Sequence, residues 1–127
     1  MDPISNMLIS IKNALMVKKE ACFVPTSKIT FEIARILKDK KFIEDFSKET
    51  QTNKTNRLKL ILKYINKHPA ITKIKRISHL GRRIYMGYDD LRVPKFGILI
   101  LSTSQGIMTS GEAKKRRLGG EMLCEIR

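Results

Sequence analysis

The sequence predicts an α+β protein of two small units: two helices on a three-stranded sheet, then a mostly antiparallel β unit with one short helix. The first observation is size, because 127 residues suffice for one ordinary domain or two very small ones. The second is composition, because 42% hydrophobic residues can form a core. The third is periodicity, which is helical near the start of the chain and strand-like over most of the second half.

The first helix is predicted from Pro3 to about Met16. Asp2 supplies an N-cap, and Pro3 suits the first turn, where its missing N–H is not needed. Apolar residues then recur at helical spacing: Ile4, Met7, Leu8, Ile11 and Leu15. This pattern predicts an amphipathic helix with one buried face.

A short strand and a second helix follow. Ala21 to Val24 has the composition of a strand and ends at Pro25. Thr26 or Ser27 then caps a helix, which ends in the cations Lys38 to Lys41, near the negative end of the helix dipole. Its predicted buried stripe comprises Ile29, Ile33, Ile36 and Leu37.

Two further strands complete the first predicted sheet. Phe42 to Phe46 and Arg57 to Ile65 are expected to form a hairpin around the polar residues 51–56. One face of the longer strand carries Leu58, Leu60, Leu62 and Tyr64. Alternation of this kind predicts a half-buried strand.

The unit boundary is predicted at His68-Pro69, because a proline cannot donate to a strand ladder. Residues 1–68 then form the first unit and residues 69–127 the second. One short helix is expected in the second unit, from Ser110 to just before Gly119. The predicted strands there are Ile71 to Ile77, Arg83 to Met86, Gly97 to Leu101, Gly106 to Met108 and Glu121 to Ile126.

The net charge is strongly positive and unevenly distributed. With 26 Lys+Arg and 12 Asp+Glu the chain carries +14, and residues 52–127, with 17 cations and five anions, account for +12 of it. Such a field attracts polyanions rather than a neutral small-molecule substrate. We favour nucleic acid over a membrane surface, because the cations are spread over strand segments and not along one amphipathic helix. No apolar run approaches the roughly 20 residues of a membrane span.

The sequence predicts neither an enzyme nor a metal or cofactor site. His68 and His79 have no orienting partner, and Asp89-Asp90 comes without a Gly-rich phosphate loop. Cys22 and Cys124 lack the spacing of a zinc site. We expect both thiols to be reduced and partly buried.

Several segments together resemble one known family. Residues 101–109 (LSTSQGIMT) and 119–124 (GGEMLC) closely resemble the signature of the small-subunit ribosomal protein eight family, in its bacterial and organellar form. Further landmarks occur in the same order: residues 2–8 (DPISNML), 11–14 (IKNA), 25–28 (PTSK), 42–46 (FIEDF), 75–78 (KRIS) and 81–85 (GRRIY). One stretch departs, since residues 88–97 are slightly shorter than the usual form and include Pro94.

The resemblance implies a primary-binding protein of the small ribosomal subunit. Such a protein contacts helical RNA in the central domain of the small-subunit rRNA, lies beside neighbouring small-subunit ribosomal proteins and supports assembly and translation. The alternative is a free RNA-binding translational regulator that uses the same surface. The abundance of Lys, Ile and Asn indicates an AT-rich genome, so we expect a plastid (chloroplast) ribosome slightly more than one in a bacterial cytoplasm.

By the same resemblance Ser102, Thr103 and Ser104 read RNA bases and backbone. A-form RNA exposes 2′-hydroxyls in a shallow minor groove, which suits small hydroxyl donors. We expect the three hydroxyls to occupy a tight turn, with Gly106 just beyond it. Without the family, the same segment is an ordinary polar loop.

Gly119, Gly120 and Glu121 form the second expected RNA contact. The two glycines permit positive φ and close approach, and the carboxylate can accept from amines or 2′-hydroxyls. The competing interpretation is that Gly119 merely ends the helix and that Glu121 is a surface strand residue.

A third group combines an aromatic ring with cations. Tyr85 is predicted to stack on an unpaired base while Arg82 and Arg83 hold phosphates. The competing explanation is core packing, but Ile84 is the better core candidate because neighbouring strand residues face opposite sides. The run from Lys114 to Arg117 is equally consistent with phosphate contacts and with a solvated helix face, and its candidate contacts are Lys114, Lys115 and Arg116.

In the first unit, Ser27 and Lys28 are candidates for a phosphate contact. They stand at a predicted helix N-terminus, where amides and dipole favour an anion. A simple N-cap role for Thr26 or Ser27 is compatible with the same pattern.

Overall fold

The computed structural model describes residues 2–50 and 56–127 and divides the chain into two compact units, one ending at Ile71 and one beginning at Thr72. The first unit contains α1 (Pro3–Met16), β1 (Ala21–Pro25), α2 (Lys28–Asp39), β2 (Ile43–Thr50), β3 (Asn56–Leu62), β4 (Tyr64–Ile65) and β5 (His68–Pro69). The second contains β6 (Ile74–Arg76), β7 (Tyr85–Met86), a 3-10 turn (Tyr88–Asp90), β8 (Ile98–Thr103), β9 (Gly106–Thr109), α3 (Ser110–Lys115) and β10 (Gly120–Ile126).

The predicted α+β architecture is confirmed in the first unit. Its antiparallel sheet has the order β1-β3-β2, so β3 is central, with both neighbours hydrogen-bonded to it. The predicted apolar face of β3 is buried at Leu58, Leu60 and Leu62. Helix α1 packs against β1 and α2 against β2, so the two helices and this face form the core.

Both helices of the first unit begin as the capping residues predict. The Asp2 carboxylate accepts from the Ser5 N–H at 2.8 Å, with Pro3 in the first turn. Ser27 is the N-cap of α2: its hydroxyl accepts from the Thr30 N–H at 3.2 Å, and its own N–H donates to the Thr30 hydroxyl at 2.9 Å. This reciprocal pair is a capping box built with threonine.

Two residues of the predicted helix stripes are not buried as expected. Ile29 is 39% exposed, whereas Thr30 is 1% exposed and takes its place. Thr30 and Leu37 lie on the same side of Ile33 around the helix, about 60° and 40° from it, whereas Ile29 lies about 40° to the other side. In α1, Leu15 is half-buried and the smaller Ala14 faces the core.

The structure divides the two units between Ile71 and Thr72, three residues after the predicted boundary at His68-Pro69. The long strand predicted up to Ile65 ends at Leu62, and Tyr64–Ile65 pairs with His68–Pro69 in a small hairpin. Asn66 and Lys67 form its two-residue turn with φ of 52° and 69°, both left-handed, as such hairpins require. Proline is tolerated in this short edge strand. The hairpin belongs to the first unit, which continues to Ile71. Of the predicted loop at 51–56, residues 51–55 lie outside the described part of the chain.

The second unit is mostly antiparallel β with one short helix, as predicted. Its five-stranded sheet has the order β6-β10-β8-β9, and β7 also pairs with β10. The strands predicted at 71–77 and 83–86 are shorter in the structure. One core cluster lies between the sheet and α3: Leu91, Leu99, Leu101, Met108, Ala113 and Met122, with Ile77, Ile84 and Leu118 packed against it.

Helix α3 does not end at the predicted glycine, Gly119. Arg117 has φ 57°, and the next residue, Leu118, donates its N–H to the Ala113 carbonyl at 2.9 Å. This is the helix-ending motif in which a left-handed residue reverses the chain, here without glycine. Within residues 2–50 and 56–127, no helix is long and apolar enough to cross a membrane.

Candidate nucleic-acid interface

Three strands bring separate sequence motifs into one row. Glu121, at the start of β10, pairs with Tyr85 of β7 on one side and with Ser102 of β8 on the other. Directly opposed residues of neighbouring strands point to the same face of a sheet. Tyr85, Glu121 and Ser102 therefore form a cross-strand row, although they are distant in sequence.

The hydroxyl segment differs from the predicted three-residue turn. Ser102 and Thr103 belong to β8, and only Ser104 and Gln105 form the turn to β9. The Thr103 hydroxyl donates to the Gly106 carbonyl at 2.8 Å and accepts from the Gln105 N–H at 3.1 Å. The strand continues further than expected because Ser102 and Thr103 both pair with β9. Thr103 thus holds the turn, and Ser104 is exposed at its tip.

Gly119 and Gly120 do not adopt the predicted positive φ; the glycines that do are Gly81, Gly97 and Gly106. Glycine is needed at positions 119 and 120 because other backbone segments of the protein approach closely there. A Cβ at Gly120 would overlap the Ser102 carbonyl oxygen, and one at Gly119 would overlap the Met86 carbonyl oxygen. Gly119 also does not end α3, since Arg117 does so. These glycines let the backbones of β7 and β8 close tightly on β10.

Glu121 is paired within the protein. Arg83 Nη1 lies 3.3 Å from its carboxylate; the Arg83 side chain is 55% exposed and that of Glu121 16%. The pair fixes the carboxylate in the row and leaves most of the guanidinium open to solvent. A partly neutralised carboxylate can face a polyanion at lower electrostatic cost than a free one.

The predicted division between Ile84 and Tyr85 is confirmed. Ile84 packs against the core cluster, and Tyr85 is 66% exposed. Arg82 is also exposed, in a tight turn closed by two backbone hydrogen bonds with His79 of 2.9 and 3.0 Å. Tyr85 and Arg82 are therefore accessible to a ligand.

Ser78 supports this loop and was missed from the sequence as a site residue. It is 1% exposed, and its Oγ accepts from the Ile84 N–H at 2.9 Å and lies 3.3 Å from the Ile84 carbonyl oxygen, to which it donates. These bonds fix both ends of the segment that carries Arg82 and Arg83. No spacing rule indicates such a role, because it depends on a loop that returns to the serine.

Two of the three cations in the basic run, Lys114 and Arg116, form hydrogen bonds within the protein. Lys114 Nζ donates to the Leu91 carbonyl at 3.0 Å, which ties α3 to the preceding loop. Arg116 Nε donates to Glu112 at 2.9 Å. The Lys115 side chain is exposed and makes no hydrogen bond or ion pair with the described residues. All three side chains remain at the surface, so each can still meet a phosphate.

Ser27 and Lys28 lie in the other unit and are not part of the cross-strand row. The Ser27 hydroxyl is engaged in the cap of α2, so the N-cap interpretation holds for it. Lys28, the first residue of that helix, is exposed.

The two cysteines of the chain are buried as free thiols. Burial raises the pKa of Cys22 to about 11 and that of Cys124 to about 12, so both thiols are protonated at neutral pH. Among residues 2–50 and 56–127 no group of three or more His, Cys, Asp or Glu side chains could hold a metal ion. The surface offers hydroxyls, an aromatic ring and cations, which are groups that bind RNA.

Comparison with known proteins gives one consistent result. The family model described as ribosomal protein S8 matches residues 2–127. A protein of Legionella pneumophila (strain Corby), named small ribosomal subunit protein uS8, is 46% identical over 126 residues, covering 98% of both chains. Proteins of the same name from Sulfurihydrogenibium sp. (strain YO3AOP1) and Dechloromonas aromatica (strain RCB) are each 43% identical and cover 98% of this chain. These alignments cover 97% and 96% of the two relatives, respectively.

Proposed function

The chain belongs to the ribosomal protein S8 family, and from that premise we propose that it is a structural constituent of the small ribosomal subunit that binds rRNA. Ribosomal constituents of this kind act by binding and not by catalysis. Family membership favours this role over that of a free translational regulator. The protein then contributes to subunit assembly and translation.

The cross-strand row is the observation that supports an RNA-binding surface. An A-form helix offers 2′-hydroxyls and base edges in a shallow groove. Ser102 and the turn residue Ser104 supply hydroxyls, Glu121 supplies an acceptor, and Tyr85 supplies a ring for stacking. We assign RNA reading to these residues, with Gly119 and Gly120 closing the backbone beneath them.

Phosphate contacts are proposed for the surrounding cations. Arg82, Arg83 and Lys115 are exposed in the same unit, and Lys114 and Arg116 add charge on α3. The second unit carries 12 Lys+Arg and five Asp+Glu, half of the net charge, together with the cross-strand row, so it is proposed to carry the main RNA-binding surface. Ser27 and Lys28 are proposed as a smaller contact from the first unit.

Three finer points complete the proposal. The RNA target is the central domain of the small-subunit rRNA, and the protein partners are its neighbours in the subunit. The relatives described above are bacterial, so they lend no support to a plastid source. We therefore propose a ribosome of the bacterial cytoplasm.

Co-sedimentation tests the function directly. Tagged protein is expressed in the source organism, and small subunits are purified through a high-salt wash. A structural constituent stays with the washed subunits at about one copy per particle, whereas a regulator is removed by the wash. A second measurement, titration of the pure protein with a transcript of the rRNA central domain, tests the target. Failure to bind that transcript while remaining on the subunit would place the contact in another rRNA domain.

A further inference from the structure

An exposed phenylalanine stands in the segment where this chain departs from the usual family form. Phe96 is 73% exposed, in the loop between the 3-10 turn and β8. The Lys95 ammonium lies 5.8 Å from the centre of the ring. Single exposed apolar side chains are common on protein surfaces, so this ring indicates a ligand only together with its fixed backbone and the cations around it.

The backbone holds this ring in a defined place. Gly97 has φ +84°, and a Cβ there would overlap the Ile126 carbonyl oxygen and the Arg127 side chain. Pro94 restricts the chain two residues before the ring. Phe96 is therefore presented by a fixed junction of backbone against β10.

Phe96 lies at the far end of β8 from the cross-strand row. From Ile98 to Thr103, β8 spans about 17 Å at 3.3 Å per residue, and Phe96 and Ser104 lie beyond its opposite ends. The ring thus cannot contact the same nucleotides as Tyr85 and Ser104. A contact with the Phe96 ring therefore requires a second segment of the ligand.

The charges near Phe96 favour an anionic ligand. Lys73 and Arg127 lie at this end of the sheet, joined by a backbone hydrogen bond of 2.9 Å. Arg92 lies 3.9 Å from Glu125, which offsets that carboxylate. Val93, the other exposed apolar residue of the loop, lies beside Gly111 of α3. A single exposed ring among cations suits a base with its phosphate better than an apolar protein surface.

We propose that Phe96 and Lys95 form a second RNA contact, in which an unpaired base stacks on the Phe96 ring and its phosphate meets Lys95. This inference rests on the proposed rRNA-binding function. It adds a single-stranded or bulged RNA element to the helical one met by the cross-strand row. The second unit then holds two RNA segments, one at each end of β8.

Fluorescence tests the contact at its own position. The chain has no tryptophan, so Phe96→Trp introduces a single reporter ring. Titration of this full-length variant with a transcript of the rRNA central domain is expected to quench its fluorescence and to leave the affinity near that of the unaltered protein. The matched control is Met16→Trp, because Met16 is as exposed as Phe96, at 74%, and lies in the first unit. This variant is expected to show little quenching.

Binding measurements with Phe96→Leu separate stacking from simple apolar contact. Leucine keeps an apolar side chain but has no ring face, so affinity is expected to fall roughly five- to hundred-fold. Circular dichroism should show an unaltered melting temperature, because residue 96 is exposed. Lys95→Gln is expected to reduce the salt slope of binding by about one unit.

The outcomes are distinguishable. If the unaltered protein does not bind the transcript, the proposed rRNA target is wrong and the inference falls with it. If it binds, but Phe96→Trp is not quenched and Phe96→Leu binds equally well, the second contact is refuted while the function stands. Weakened incorporation into reconstituted particles with unchanged RNA affinity would assign Phe96 to a protein neighbour and would also refute it.

Discussion

Thr103 and Ser104 are adjacent hydroxyl residues with different bonding. The Thr103 hydroxyl is engaged with Gly106 and Gln105, whereas Ser104 makes no hydrogen bond through its side chain to the described residues. Ser104→Ala should therefore lower affinity for the rRNA transcript by about 1–3 kcal/mol and leave the melting temperature unchanged. Thr103→Val should instead lower stability by about 1–2 kcal/mol, through loss of two hydrogen bonds. Titration and thermal denaturation of both variants check this; equal affinity of Ser104→Ala and the unaltered protein would contradict it.

At the residue scale, sequence reasoning succeeded where strand alternation decides. Ile84 and Tyr85 were assigned to opposite faces correctly because a strand leaves only two sides. It failed where a contact joins distant segments. The crowding of Gly120 against Ser102 and the bonds of Ser78 to Ile84 depend on which backbones meet, and no local pattern specifies that.

Ser78 controls the stability of one loop. Ser78→Ala leaves the half-buried Ile84 N–H without its acceptor, at a cost of about 1–3 kcal/mol in the free energy of unfolding. The exposed Ser47 of β2 provides the control, because Ser47→Ala removes a hydroxyl without burying an unpaired group. Chemical denaturation of the two variants gives the comparison. Equal stabilities would show that water replaces the Ser78 hydroxyl.

The end of α3 can be improved by one substitution. Arg117 adopts a left-handed conformation that costs an L-residue free energy, and glycine removes most of that cost. Arg117→Gly should raise stability by about 0.5–1 kcal/mol. Arg117→Ala removes the same charge but keeps the strain, so it should not stabilise. The two variants should bind RNA equally; a stability gain in both would mean that charge and not strain is relieved.

At the element scale, the α-helices of the described residues were all predicted: α1 and α2 from caps and helical periods, and α3 from the residues at its ends. The errors concern strand lengths and the hairpin at His68–Pro69. Its turn, Asn66-Lys67, carries no glycine, so the usual signal for a two-residue hairpin is weak. Proline predicts the end of pairing at this point, whereas Pro69 pairs with Tyr64 in a short edge strand, because edge pairing is decided by the fold and not by propensity.

The whole molecule should bind RNA with strong salt dependence. If about six to eight phosphates are neutralised, log K should fall with log salt at a slope of about −5 to −7. Arg82→Gln should make this slope shallower by about one unit. Arg35→Gln, which removes a guanidinium already bound to Glu32 at 2.7 Å, should leave it unchanged. A slope shallower than about −2 for the unaltered protein would refute the basic-surface argument.

Strand β10 has a further consequence, for the order of events during synthesis. It is made after β6, β7 and β8, yet it is the partner of all three. A nascent chain that has reached α3 can close the β8–β9 hairpin locally, but its other strands must wait for this long-range pairing. The cross-strand row depends on Glu121 and therefore has no fixed geometry until then. The RNA recognition that we propose for this surface then has to follow the translation of residues 120–126, so an unfinished chain is not expected to occupy the site of a finished one.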